Sequence, residues 1–334
     1  MHGDPCTCRK DTVDTLDTRL TRQLDLRCPI VSAPMAFAAG GALAAAVTRA
    51  GGLGLIGGGY GDAAWLEQQF ALAEGERVGV GFITWSLAKQ PGLLDTVLRH
   101  RPRAVMLSFG DPRPFGDAIR AAGAALFCQC QDMTHVRQAL EAGAIAIVAQ
   151  GTEAGGHGAL RGTLSFVPEV ADHLAAHAPD TLLLAAGGIA DGRGLAAALM
   201  LGADGVLMGT RFWATHEALV KPTHHGAILA ADGDATLRTR TPDIVRQLPW
   251  PPGFTARIRR NAFTQRWHGR EDALQAALDV ETPRYRDAWE AGDIEQAAVW
   301  FGEAAGLVHA IEPAAEVVRR TVNEAFERLR TAPS

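Results

Sequence analysis

Leu182-Leu183-Leu184-Ala185-Ala186-Gly187-Gly188-Ile189-Ala190-Asp191-Gly192 runs an unbroken apolar segment straight into a glycine-rich turn. Without polar alternation, such a run suits a strand covered on both faces, as in a parallel sheet wrapped by helices. A helical pattern over 194–201 follows at once, so the unit reads strand, tight turn, helix.

The same unit recurs on both sides of this segment. Between Pro29 and Arg211, apolar runs at 30–33, 53–56, 78–83, 104–108, 124–128, 144–149, 182–186 and 205–208 predict strands. Amphipathic stretches at 42–49, 63–73, 116–122, 133–141 and 194–201 lie between them, each roughly long enough for a crossover helix. Eight parallel strands close a barrel filled by side chains, so the expected fold is α/β, a (β/α)8 TIM barrel. An open, doubly wound sheet is the alternative.

The letters of Gly52-Leu53-Gly54-Leu55-Ile56-Gly57 match a dinucleotide-binding fingerprint. That fingerprint needs a strand before it and a helix opening from it, whereas here a helical segment precedes it and the strand lies inside. It reads as a decoy, with Gly57 to Gly59 and Gly61 expected after strand two.

After Arg211 the rhythm changes. Residues 221–253 carry prolines and polar turns, and 254–330 read as helical with no strand repeat. The expected organisation is an N-terminal arm (1–28), the barrel (29–215), an added C-terminal helical region on the substrate side (216–300), and a C-terminal helix (301–330) packing back on the barrel. Arg257, Arg259 and Arg260 are expected on a solvated helix face.

With 334 residues, 47% hydrophobic and 21% charged, the chain can bury a substantial core. A net charge of −5 gives no support for a nucleic-acid or anionic-membrane partner, so a small molecule is expected; a homodimer is compatible with the sequence. Residues 1–20 lack the apolar stretch of a secretory signal, and no apolar run reaches membrane-spanning length without glycine or charge. The five cysteines are odd in number and do not resemble a disulfide framework, which points to a reducing cytoplasm. Two C-x-C pairs, Cys6/Cys8 and Cys128/Cys130, offer four thiolates, but C-x-C is not a common zinc spacing. Buried small hydrophobes account for Cys128 and Cys130 more simply, and His224-His225 is a weak metal pair. No metal is expected.

Three loops carry the chemistry. After strands seven and eight stand Ala186-Gly187-Gly188-Ile189 and Met208-Gly209-Thr210-Arg211. Barrels bind phosphate at these places, where backbone N–H groups and a helix N-terminus face an anion. Glycine lets the backbone approach closely, and Thr210 adds a hydroxyl donor. After strand six comes Gln150-Gly151-Thr152-Glu153-Ala154-Gly155-Gly156-His157-Gly158, which presents an imidazole on a flexible backbone. Imidazole titrates near neutrality and can exchange a proton with a substrate carbon. A single histidine is ordinarily structural, but a place beside a phosphate site makes His157 the candidate catalytic residue.

At these loops, together with Ala33-Pro34-Met35, the chain resembles the nitronate monooxygenase (2-nitropropane dioxygenase-like) family of FMN barrel proteins. The resemblance runs from about Cys28 to Thr215. It implies FMN at the barrel mouth, with Gly188, Gly209 and Thr210 on the phosphate and Met35, Gln150 and Ala154 lining the rest. Ala33, Gln129, Gly155, Gly156, Ala186 and Gly187 complete the implied cofactor set, and His157 matches the family's catalytic histidine. The implied activity is oxidation of alkyl nitronates or nitroalkanes, electrons passing through FMN to dioxygen. NAD(P)H-dependent reduction of quinones or enoyl thioesters on the same FMN barrel is the alternative. A non-redox lyase or isomerase binding a phosphorylated substrate is a remoter one. The chain departs from the family pattern at Thr84-Trp85 and at Gln129, where an asparagine and a lysine are frequent, and these departures are read as marks of a subgroup with a different substrate.

Overall fold

In the computed structural model, which describes residues 16–331, every one of the eight apolar runs contributes a barrel strand. These are β1 (Ile30–Ser32), β2 (Leu55–Gly59), β3 (Gly79–Ile83), β4 (Ala104–Ser108), β5 (Ala125–Cys130) and β6 (Ala146–Gln150), then, after a short outer strand β7 (Gly156–Gly158), β8 (Leu182–Ala186) and β9 (Gly205–Met208). All barrel pairings are parallel, in the order β1-β9-β8-β6-β5-β4-β3-β2. The ring closes between β1 and the residue leading into β2: Leu53 N–H donates to Ile30 O at 3.0 Å, and Ser32 N–H to Leu53 O at 3.0 Å. Closure excludes the open doubly wound sheet.

Side chains alternate across each strand, which is why continuous apolar runs were needed. One set, including Val31, Leu55, Met106, Phe127, Val148 and Leu184, fills the barrel interior, where Leu20 from the helix Arg19–Gln23 joins it. The other, including Ile30, Ile56, Val105, Leu126, Ile147 and Leu183, packs against the surrounding helices. The apparent fingerprint serves this second layer. A Cβ at Gly54 would stand 1.9 Å from Ala44 O, so glycine there lets helix Gly41–Arg49 lie directly on the strand. Gly57 to Gly59 fall within β2 rather than after it, and only Gly61 follows.

The region beyond Arg211 differs from the helical expectation. It contains helices, among them Thr241–Val245 and Leu278–Ala291, but also β10 (Thr236–Thr239) and β11 (Thr255–Arg259), paired antiparallel. β7 completes this sheet, with His157 opposite Ala256. Arg257 and Arg259 are therefore strand residues. Arg257 is buried, its charge met by Glu303 at 2.9 Å; Arg259 pairs with Glu295; only Arg260 is exposed. Period-two burial over a stretch this short is easily masked by its arginines. The last helix begins at Ala314, after a 3-10 turn at Glu303–Leu307, and buries Val317, Val318, Val322 and Ala325 against the barrel's outer layer. Among the described residues, no helix is long and apolar enough to cross a membrane.

Candidate active site

The segment after β6 is held on three sides. Glu153 turns back to cap the helix Thr163–His177, accepting from Thr163 N–H at 3.0 and 3.1 Å and from its hydroxyl at 2.8 Å, an anion at a helix N-terminus. Thr152 O accepts from Arg238 Nη2 and Arg257 Nε, each at 2.9 Å. Gly155 lies so close to residues 301–302 that a Cβ would stand 2.5 Å from Gly302 N. His157 thus sits on a fixed strand, not on the flexible loop expected.

Its imidazole is enclosed, with the side chain 8% exposed. Trp250 stacks on it with centroids 3.4 Å apart at 7°, and Trp300 lies 5.5 Å away. Nε2 sits 2.9 and 3.0 Å from the two carboxylate oxygens of Asp243, which is itself buried. A carboxylate at Nε2 selects the tautomer with its proton on that nitrogen and leaves Nδ1 with a lone pair. Among the described residues Nδ1 has no hydrogen-bond partner. Burial lowers the imidazole pKa below its usual value, Asp243 opposing and Arg246 and Arg238 adding to the lowering. Burial thus favours the neutral ring, the form a general base requires.

The His157 backbone is held by an amide network. Gln150 donates to His157 O at 3.1 Å, and its own carbonyl accepts from Gln129 at 2.9 Å and Gln131 at 3.0 Å. Gln129 lies within β5 and Gln150 ends β6.

A cavity of about 380 Å³ opens at the carboxyl ends of the strands. It is lined by His157 and by all twelve other residues singled out in the sequence: Ala33, Met35, Gln129, Gln150, Ala154, Gly155, Gly156, Ala186, Gly187, Gly188, Gly209 and Thr210. At one end, the N–H groups of Gly188 and Thr210 donate to no acceptor among the described residues. Thr210 Oγ1 accepts from Gly302 N–H at 2.9 Å, which leaves its own proton to donate. A Cβ at Gly209 would meet only Ala33 at 3.5 Å and Met35 at 3.7 Å, both cavity residues, so the bare backbone faces the cavity. Unengaged donors beside bare glycine backbone suit a phosphate.

Other candidates fall elsewhere. Thr84 and Trp85 do not line the cavity; Trp85 stands behind its aromatic wall, 5.6 Å edge-on from Trp250. Cys128 and Cys130 are buried, with burial raising the Cys128 thiol to about 12; Cys6 and Cys8 lie outside the described residues. His224 lines the cavity between Trp213 and Trp289, whereas His225 does not line it and approaches Trp213 O at 3.3 Å, so the two do not converge on one point. Sequence reading missed Asp243, Arg246, Trp250 and Trp300, all supplied by the added region. Thr241-Pro242-Asp243 marks a helix start, but nothing in its spacing ties it to His157.

An imidazole paired with a buried carboxylate, at the wall of a cavity at the carboxyl ends of eight barrel strands, is the arrangement of an enzyme of the (β/α)8 class. The family model for nitronate monooxygenase matches residues 83–324, and that for the IMP dehydrogenase / GMP reductase domain matches 5–69. The chain belongs to the nitronate monooxygenase family and is an oxidoreductase. A nitronate monooxygenase of Neurospora crassa is 32% identical, the alignment covering 90% of each chain. Among solved structures, FabK from Thermotoga maritima is 30% identical with a TM-score of 0.82, covering 95% of this chain and 98% of that one. Nitroalkane oxidase from Streptomyces ansochromogenes is 29% identical with a TM-score of 0.78, covering 95% and 100%.

Proposed function

We propose that this chain is an FMN-dependent nitronate monooxygenase that oxidises alkyl nitronates, and nitroalkanes after deprotonation, with dioxygen. The observation that carries the reading is the His157–Asp243 pair facing a cavity whose other end offers unengaged N–H groups. Gly188, Gly209 and Thr210 would hold the phosphate, with Ala33, Met35, Ala154, Ala186, Gly187 and the Gln129–Gln150 amides along the rest. The flavin, when bound, supplies the electron transfer from substrate to dioxygen.

The chain's own work is proton transfer and positioning. His157 Nδ1 removes the α-proton of a neutral nitroalkane, and Asp243 holds the imidazolium that results. A nitronate arrives already deprotonated and needs only to be held. Trp250 and Trp300 shield the base from water. The buried free thiols Cys28, Cys128 and Cys130 suit a reducing, cytoplasmic setting.

The test is purification of the yellow holoprotein, identification of the released flavin, and aerobic assay with ethyl nitronate without NAD(P)H. Turnover supports the reading. Rapid anaerobic bleaching by NAD(P)H with no nitronate turnover would replace it with the reductase alternative.

A further inference from the structure

The cavity carries charge of one sign. Among the described residues no aspartate or glutamate lines it, whereas Lys221 and Arg246 do. The Lys221 ammonium is engaged, 2.6 Å from Trp289 O and 2.5 Å from Glu290 O. Arg246 is placed differently. Its guanidinium lies 5.5 Å over the Tyr60 ring, whose neutral hydroxyl it also approaches, and 5.9 Å over the Trp300 ring. Among the described residues it has no carboxylate at ion-pair distance. Asp243, one helical turn earlier, is turned to His157 instead.

A partly buried guanidinium without an anion is costly, and two aromatic faces offset only part of that cost. The missing partner should therefore be an anion delivered by the ligand. Trp300 stands beside both the imidazole and the guanidinium, so base and cation flank one wall of the cavity. The helical turn from Asp243 to Arg246 fixes their relative placement.

We propose that Arg246 is the oxyanion-binding residue of this site, its guanidinium receiving the two oxygens of the substrate's planar nitro or nitronate group. This rests on the function proposed above. A nitronate presents paired, coplanar oxygens as a carboxylate does, and the guanidinium fork matches that shape with two parallel hydrogen bonds. With a neutral nitroalkane, the α C–H bond breaks, the proton goes to His157 Nδ1, and the electron pair forms C=N while negative charge moves onto the two oxygens. Arg246 meets that charge as it develops, and Asp243 balances the imidazolium.

Two substrates separate this role from a structural one. For a nitronate the charge is already present, so Arg246→Gln raises KM by about 10- to 100-fold and leaves kcat within a few-fold. For the neutral nitroalkane the charge appears only in the transition state, so kcat falls by a similar factor. Binding is measured independently of turnover by calorimetry of the flavin-loaded protein with inorganic nitrate, a planar and unreactive oxyanion. The nitrate Kd should weaken at least tenfold in Arg246→Gln and by less in Arg246→Lys, which keeps the charge but not the fork and serves if the glutamine variant does not fold. An unchanged nitrate Kd in Arg246→Gln, or a wild type that binds no nitrate, overturns the proposal. Wild type that binds nitrate through Arg246 but does not oxidise nitronates would overturn the proposed function and leave the subsite standing.

Discussion

His157 and Asp243 stand 86 residues apart in the chain and 2.9 Å apart at Nε2 and Oδ1. The histidine comes from the barrel's own sequence and the carboxylate from the added region, joined through the β7–β11 pairing that sets His157 opposite Ala256. The added region is therefore part of the candidate site, because its carboxylate orients the ring that the barrel supplies.

Replacing the base separates binding from chemistry. His157→Ala should retain flavin, because the unengaged donors lie at Gly188 and Thr210, and slow nitroalkane oxidation by about 10²- to 10⁴-fold. A preformed nitronate should be affected much less. Equal nitroalkane rates for variant and wild type, measured by oxygen consumption, would remove the base role.

The buried ring also sets a pH dependence. Burial lowers the His157 pKa below its usual 6.5, so nitroalkane kcat/KM should rise with pH through an apparent pKa under that value. The folded state prefers the neutral ring, so this group contributes stability that is present above pH 6.5 and lost as pH falls toward the lowered value. In Asp243→Asn the charge that opposes the lowering is gone. The acidic limb should move to lower pH, and kcat should drop about 10²-fold or more because the imidazolium loses its counter-charge. A limb displaced to higher pH would contradict this.

Legibility in the sequence followed the range of the interactions. The barrel was readable because each strand needs apolar residues on both faces, a local pattern repeated eight times, and the glycine loops were readable because they follow those strands at once. Asp243, Arg246, Trp250 and Trp300 reach the site through tertiary packing of a region whose strands are short and rich in arginine, and no local period marks them. β11 was hidden because Arg257, though charged, is buried and paired with Glu303.

The glycine cradle can be tested without disturbing the fold. Gly209 has an ordinary φ of −105° and open space toward the cavity, so Gly209→Val should leave the melting temperature of flavin-free protein nearly unchanged while weakening flavin retention. Gly188 has φ +74°, so Gly188→Val should also lose about 1–2 kcal/mol of stability from the left-handed backbone. Full flavin occupancy in Gly209→Val, measured by absorbance after dialysis, would show that the phosphate does not sit there.

Neighbouring glycines in the His157 segment should respond differently to one added methyl. A Cβ at Gly155 would stand 2.5 Å from Gly302 N and 2.6 Å from Phe301 C, backbone atoms that cannot turn aside, whereas at Gly156 nothing lies within 4 Å and only φ +74° opposes alanine. Gly155→Ala should cost about 1–3 kcal/mol, as overpacking does. Gly156→Ala should cost about 1–2 kcal/mol from backbone strain. Flavin distinguishes them further. Gly302 N–H donates to Thr210 Oγ1, so displacing Gly302 disturbs the hydroxyl proposed to meet the phosphate. Gly155→Ala is thus expected to release flavin more readily than Gly156→Ala at matched protein stability, measured by fluorescence of the freed flavin on dilution. Equal release from both would mean that residues 301–302 do not couple the histidine segment to the phosphate loops.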